Sequence, residues 1–355
     1  MSQPIIPQTM KAWLYTSTTP SVIANLTLHT STRAPPPPSY ASQLLIKVHS
    51  TSLNPADHKV PQQTTIPFSG GKTLICSLPA SPGLDFSGEI VATHLKHSGE
   101  FKPGDRVFGC LARPRTFGTA GEYILADAND VATLPEGVSF EDASCLGVAV
   151  RTAYQSLKNY LDLSKPEFEN KQPKVFINGG SGGCGVFAIQ IAKMLGCHVT
   201  TTCSSRNVQL VESLGADEVL DYTKIDVAET LKAKGLVFDH VIDHIGLPAN
   251  LYAESHYFLK PGATWVQVGA GSIMTAFWRA ITPRFLGGGR RWFVPLMMAN
   301  SKKDLVAVGK LVNEKKIRII KDGDKVWDFE QLKEAYELLA SGRARGKIVV
   351  RVVRE

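Results

Sequence analysis

At 355 residues the chain is longer than one compact core usually reaches, so two domains are expected. Its composition, 43% hydrophobic and 20% charged, is ordinary for a globular enzyme and excludes a disordered or fibrous chain. A formal charge of +7 could suit nucleic acid, but the basic residues are scattered and form no stripe alternating with aromatics; no nucleic-acid partner is expected, and a polyanionic cofactor accounts for part of the excess.

The first residues carry no apolar run of signal-peptide length, and no later run reaches membrane-spanning length, so a cytoplasmic protein is expected. Six cysteines, with no C-x-x-C pair among them, fit a reducing compartment better than a disulfide framework or a metal knuckle. Residues 11–15 and 44–48 read as strands of a β-rich region, and the four prolines at 35–38 as a stiff connector between them. Four short stretches then stand out: Ser52-Leu53-Asn54-Pro55-Ala56-Asp57-His58-Lys59, Pro82-Gly83-Leu84-Asp85-Phe86-Ser87-Gly88, Lys102-Pro103-Gly104-Asp105-Arg106-Val107, and Gly121-Glu122-Tyr123. Residues 138–157 form an amphipathic segment that leads into a second region, and 164–173 a polar, exposed loop.

The second region opens on residues 174–196, a short apolar strand, a glycine cluster, and apolar residues at helical spacing. Gly180, Gly182 and Gly185 fit G-x-G-x-x-G, in which glycine lets the turn take positive φ, a pyrophosphate approach the backbone, and the helix pack on the strand. The amides of Gly182, Gly183, Cys184 and Gly185, with Ser181 beside them, then face an anion at a helix N-terminus. A bare glycine turn is the alternative, and the flanking strand and helix favour the dinucleotide. The next strand, 198–203, is followed by Ser204, Ser205 and Arg206, and no carboxylate lies between 198 and 211 to hold a ribose 2'-hydroxyl. Two hydroxyls and a cation suit a 2'-phosphate, so NADPH is the expected cofactor, with Arg206 as a solvated first-turn charge the alternative.

Residues 209–222 read as a helix ended by Gly215 and then a strand; 238–246 and 260–270 supply two more strands. Ligands lie outside the carboxyl ends of such strands, which puts Ile245, Gly246, Gly269 and Ala270 near the nicotinamide ribose; His244 is close but is read as a bystander. Residues 272–299 concentrate aromatic, methionine and arginine side chains, and admit three readings: substrate pocket or subunit interface, membrane-surface helix, or the last core elements of the nucleotide domain. The chain ends in a helix closed by Gly342 and a strand that starts near Lys347.

The four stretches, the glycine loop and the terminal Gly342-Arg343-Ala344-Arg345-Gly346-Lys347 together resemble the medium-chain dehydrogenase/reductase superfamily, and within it the zinc-free quinone oxidoreductase branch. The resemblance implies an α/β protein: a GroES-like β-rich catalytic domain from residues 1–150 and 301–355, and a doubly wound Rossmann domain from 151–300. It also implies roles. Thr152 would lie at the nicotinamide end, Tyr222 beside the adenosine phosphates, Lys347 at the cofactor, and Asn54 and Asp57 on the loop facing the nicotinamide, where Asn54 could donate to a carbonyl. No residue stands out as the acid, and Lys59, Tyr123 and water stay open.

Where zinc dehydrogenases carry a cysteine this chain has Asn54, and where they carry His-Glu it has Leu84 and Asp85, so no metal is expected. Without a Lewis acid, hydride is best accepted by a carbon already activated by conjugation, in an enone, an enal or a quinone. Two rivals are an enoyl reductase acting on a biosynthetic, polyketide-type intermediate, and an NADPH-binding scaffold or sensor without turnover. A homodimer is implied by resemblance alone.

Overall fold

A computed structural model of the chain describes residues 7–94, 99–169, 171–269, 278–279, 281–282 and 289–353. They fall into two compact units, one made of Met1–Ala149, Ala299–Lys315 and Ile319–Glu355, the other of Val150–Met298 and Lys316–Arg318. Among the described residues no helix is long and apolar enough to cross a membrane.

The first unit is built on a seven-stranded sheet. In spatial order its strands are Lys321–Asp328, Lys347–Arg351, Gln43–Ser52, Asp85–Thr93, Arg106–Cys110 and Val131–Thr133, with Tyr123–Asp127 also paired to Gln43–Ser52. Gln43–Ser52 is central, and almost every residue in it is buried, including Leu44, Ile46 and Val48, which explains a run too apolar to alternate. Its antiparallel register places Ser52 opposite Asp85 on one side and Val349 on the other. Continued two residues, the second pairing sets Asn54 level with Lys347. A separate ribbon, Thr9–Leu14 against Thr27–Arg33, packs Met10, Ala12 and Leu14 with Ala34.

The second unit is a six-stranded, all-parallel sheet in the order Glu218–Asp221, His198–Cys203, Lys174–Asn178, Phe238–Asp243, Leu259–Gln267 and Trp292–Pro295. Chain order reverses between Lys174–Asn178 and Phe238–Asp243, the switch point at which doubly wound sheets hold ligands. One face is filled by aromatic rings: Phe176 and Phe238 lie 5.7 Å apart, and Tyr252 and Trp265 5.5 Å, all buried.

Two expectations are refined here. The amphipathic segment 138–157 is two helices, Phe140–Ser144 and Val148–Lys158. They are separated at Gly147, where a Cβ would stand 1.9 Å from the Asp85 carboxylate. Of the aromatic and arginine-rich stretch, Trp292 and Met297 are exposed, and residues 292–295 join the parallel sheet at its edge. Trp292–Pro295 is its last strand, Phe293 packs 4.6 Å from Tyr252, and the Arg291 guanidinium donates to the carbonyls of Leu259 (2.6 Å) and His256 (3.0 Å). Most of residues 270–288 lies outside the described residues.

Candidate functional site

The carboxyl edge of the parallel sheet carries the first group of candidate residues. After Asn178 the chain turns through Gly179, at φ +90°, and enters the helix Gly185–Met194. Gly180 has no room for a side chain, since a Cβ would fall 2.2 Å from Thr201 Oγ1, and at Gly185 it would fall 2.1 Å from the Gly179 carbonyl oxygen. The turn is therefore bare backbone held close to its strand and helix, the cradle a pyrophosphate needs. Among the described residues the N–H groups of Ser181 and Gly183 meet no backbone acceptor.

A buried polar ladder runs beneath that edge across four neighbouring strands. Thr202 Oγ1 donates to Asn178 Oδ1 (2.7 Å), Asn178 Nδ2 to Asp243 Oδ1 (2.8 Å), and Gln267 Nε2 to Asp243 Oδ2 (3.0 Å). Burial pushes the Asp243 carboxyl up, and the amides of Gly246 (2.8 Å) and Ile245 (3.0 Å), donating to Oδ1, oppose the shift. The expected residues Ile245, Gly246 and Gly269 thus gather round Asp243, the first two at its carboxylate and Gly269 donating its N–H to its backbone carbonyl at 3.1 Å, while the Ile245 side chain closes on Gly179. Ala270 lies outside the described residues. His244, read as a bystander, has both ring nitrogens buried without a partner among the described residues, and burial drives its pKa down to about 4, so the imidazole is neutral. Thr152 is buried on the helix Val148–Lys158.

At the end of the next strand the register adds a residue that the sequence reading did not weigh. No carboxylate lies between 198 and 211, but the parallel register sets Asp221 beside Cys203. The Ser205 hydroxyl donates to Asp221 Oδ2, and Thr223 Oγ1 donates to Oδ1 at 2.6 Å. These two hydroxyls hold the Asp221 carboxyl down at about 2, so it is ionised. Arg206 and Tyr222 are exposed nearby in the chain, and Lys224 Nζ stands 3.5 Å from Asp221. Asn207, which the sequence did not single out, is buried and donates through Nδ2 to Ser181 Oγ (3.0 Å) and Ser204 Oγ (3.4 Å).

The second group lies in the β-rich unit, where the sheet register brings Asn54, Asp85 and Lys347 into contact. Lys347 is 2% exposed, and its ammonium donates to Asn54 Oδ1 (2.6 Å), the Leu53 carbonyl (3.2 Å) and Asp85 Oδ2 (3.3 Å). Asn54 Nδ2 donates to Asp85 Oδ2 (2.9 Å) and the Ser52 carbonyl (3.2 Å). Asp85 Oδ1 accepts the N–H of Val148 (2.7 Å), which fixes a carboxylate at the start of the helix Val148–Lys158. Asp57, at the first turn of the helix Pro55–Gln63, accepts from the Asn54 N–H (2.8 Å) and the Tyr336 hydroxyl (3.1 Å), while its Oδ1 is buried with no partner among the described residues. Burial, with the Asp85 charge adding to it, pushes Asp57 up to about 7.

Two expectations change. Both donor hydrogens of Asn54 are committed inside the unit, so it has none for a substrate carbonyl. The three donors of Lys347 are likewise engaged by Leu53, Asn54 and Asp85, so it supports that loop and has no hydrogen left for the cofactor. Lys59 is exposed on the helix Pro55–Gln63, and Tyr123 is half-buried against the Met10 cluster; both stand outside the buried network, and neither placement decides between them as the acid. Asp85 and Tyr336 belong to it and were not foreseen as functional.

Residues 40–136 match the family model described as alcohol dehydrogenase GroES-like domain, and 214–350 that described as zinc-binding dehydrogenase. The chain is 40% identical over 358 residues to the trans-enoyl reductase pgmF of Aspergillus terreus, covering 98% of this chain and 97% of that one. It is 31% identical over 329 residues to the chloroplastic quinone-oxidoreductase homolog of Spinacia oleracea, covering 91% and 93%. The solved quinone oxidoreductase from Coxiella burnetii superposes with a TM-score of 0.79 at 30% identity, covering 98% of this chain and all of that one.

The chain belongs to the medium-chain dehydrogenase/reductase superfamily. Within that superfamily it falls in the quinone oxidoreductase and enone reductase-like branch, and its two units are the GroES-like and Rossmann-like parts of the fold. It is an oxidoreductase of the medium-chain type, a fold that holds a nicotinamide cofactor. Among the described residues no three His, Cys, Asp or Glu side chains are grouped to hold a metal ion.

Proposed function

We propose that this chain is an NADPH-dependent, zinc-independent reductase of conjugated carbonyls or quinones. The observation that carries the reading is the fate of the residues standing where zinc relatives place their ligands. Asn54 Oδ1 and Asp85 Oδ2 are both bound to the Lys347 ammonium, and Leu84 is hydrocarbon, so that place offers a metal no set of ligands. An acceptor that spreads negative charge onto an enolate or quinol oxygen needs none.

The glycine turn fits a dinucleotide because Gly180 and Gly185 have no room for a Cβ, against Thr201 and the Gly179 carbonyl, while at Gly182 the backbone is open to an approaching group. In this reading the nicotinamide supplies the hydride. Gly180, Ser181, Gly182, Gly183 and Cys184 hold the pyrophosphate; Ser204, Ser205, Arg206 and Tyr222 the adenosine end; Thr152, Ile245, Gly246 and Gly269 the nicotinamide end. Arg206 favours a 2'-phosphate, and the ionised Asp221 beside Ser205 opposes it, so the two set the cofactor preference between them. Asn54, Asp57 and Lys347 act by fixing the loop 52–59. A cytosolic site of action suits cysteines that form no disulfide.

A second reading, an enoyl reductase acting on a biosynthetic intermediate, is favoured by the 40% identity to a trans-enoyl reductase along nearly the whole chain. The test is NADPH oxidation by chelator-washed protein against enals, enones, quinones and saturated ketones, each with NADH as control. Turnover of conjugated acceptors with NADPH supports the proposal; turnover confined to saturated ketones, or lost on chelation, defeats it. Turnover of carrier-bound but not free enones selects the second reading.

A further inference from the structure

Asn207 stands immediately before the short helix Val208–Ser213, a position where asparagine ordinarily caps its own helix with its side-chain oxygen. It makes no such bond. Its side chain, 4% exposed, turns back toward the glycine loop, where Nδ2 donates to Ser181 Oγ at 3.0 Å and Ser204 Oγ at 3.4 Å, and its Oδ1 is buried with no partner among the described residues. One amide therefore joins the loop after Lys174–Asn178 to the loop after His198–Cys203, two chain segments that the dinucleotide reading assigns to different phosphates.

Hydrogen-bond accounting gives this contact a consequence. A hydroxyl that accepts from an amide N–H keeps its own hydrogen to give away. Ser181 and Ser204 are in that state, whereas Ser205 spends its hydrogen on Asp221 and has only lone pairs left to offer. We infer that Asn207 is a positioning residue for a phosphate-bearing dinucleotide: it turns the Ser181 and Ser204 hydroxyls so that both present hydrogen to an anion. Ser205 is left to accept from a sugar hydroxyl. The inference rests on the dinucleotide reading above, and it assigns the anion to the Ser181 and Ser204 side of the site.

The test is a double-mutant cycle on NADPH affinity, read by the change in NADPH fluorescence on binding and by equilibrium dialysis, with no turnover needed. N207L and S181A are each expected to weaken NADPH binding by about tenfold or more, and N207L/S181A to be little weaker than N207L alone, because Asn207 acts through Ser181 and Ser204. Since Asn207 makes no cap bond, the thermal midpoint is expected to stay near that of the wild type; N207A serves if N207L does not fold. NADPH affinity unchanged in N207L or N207A, or losses that multiply in the double variant, would overturn the inference. Wild-type protein that binds no NADPH would instead remove the dinucleotide reading on which it rests.

Discussion

The surplus carboxylate in the buried network offers the sharpest test of how the β-rich unit is held. The Lys347 ammonium bonds Asp85 and not Asp57, whose Oδ1 is buried with no partner among the described residues. The Asp57 pKa is raised from 3.8 to about 7, mainly by burial. A raised carboxyl pKa means that the folded state binds the proton more tightly, so this stabilising contribution is fully present below the unfolded value and is lost as pH rises through the folded one. With those two values the loss between pH 5 and pH 7.5 is about 2.5 kcal/mol. D57N removes the titration. It also places an amide NH2 where Oδ1 has no partner, a cost that does not vary with pH, so the slope and not the level is informative. Urea unfolding of wild type and D57N at a series of pH values supplies it. The transition of this unit can be followed through Trp13, which is buried and donates from Nε1 to the Phe329 carbonyl at 2.7 Å, with W13F as control. The wild type should lose stability relative to D57N by about 2.5 kcal/mol over that range; parallel curves would refute the reasoning.

Other outcomes follow from the same contacts. K347M leaves Asp85 buried without its cation and should cost about 3–5 kcal/mol in urea unfolding, while K347M/D85N should recover much of that loss because both charges leave together. G185A puts a Cβ 2.1 Å from the Gly179 carbonyl oxygen and should weaken NADPH more than tenfold in a fluorescence titration. D221S removes the ionised carboxylate beside Ser205 and should shift the NADPH to NADH affinity ratio toward NADPH by about tenfold, with R206A shifting it the other way. An unchanged ratio in both would show that neither residue sets cofactor preference.

What the sequence displayed was the local chemistry. The glycine spacing, the strand before it and the apolar helix after it lie within 23 consecutive residues, and Gly179, Gly180 and Gly185 each mark a close approach that a side chain would block. The resemblance gave the architecture for the same reason, since its motifs are short and contiguous. Side-chain pairings set by register were out of reach. Lys347 and Asn54 are 293 positions apart and Tyr336 and Asp57 are 279 apart, and only the antiparallel alignment of Lys347–Arg351 with Gln43–Ser52 shows that the first pair meet. Asp221 was missed because the carboxylate was sought along one strand, while the neighbouring parallel strand delivers it. Asn207 was not singled out, because nothing in its sequence context shows that the side chain turns back to the Ser181 and Ser204 hydroxyls.

The central claim is that hydride goes to a conjugated carbon with no metal in attendance. The direct measurement uses NADPH deuterated at the transferable position, a simple enone and chelator-washed protein, with NMR locating the label in the product. Deuterium on the carbon β to an intact carbonyl is the predicted result. Deuterium on the carbonyl carbon of an allylic alcohol, or incorporation that appears only when zinc is restored, would contradict it.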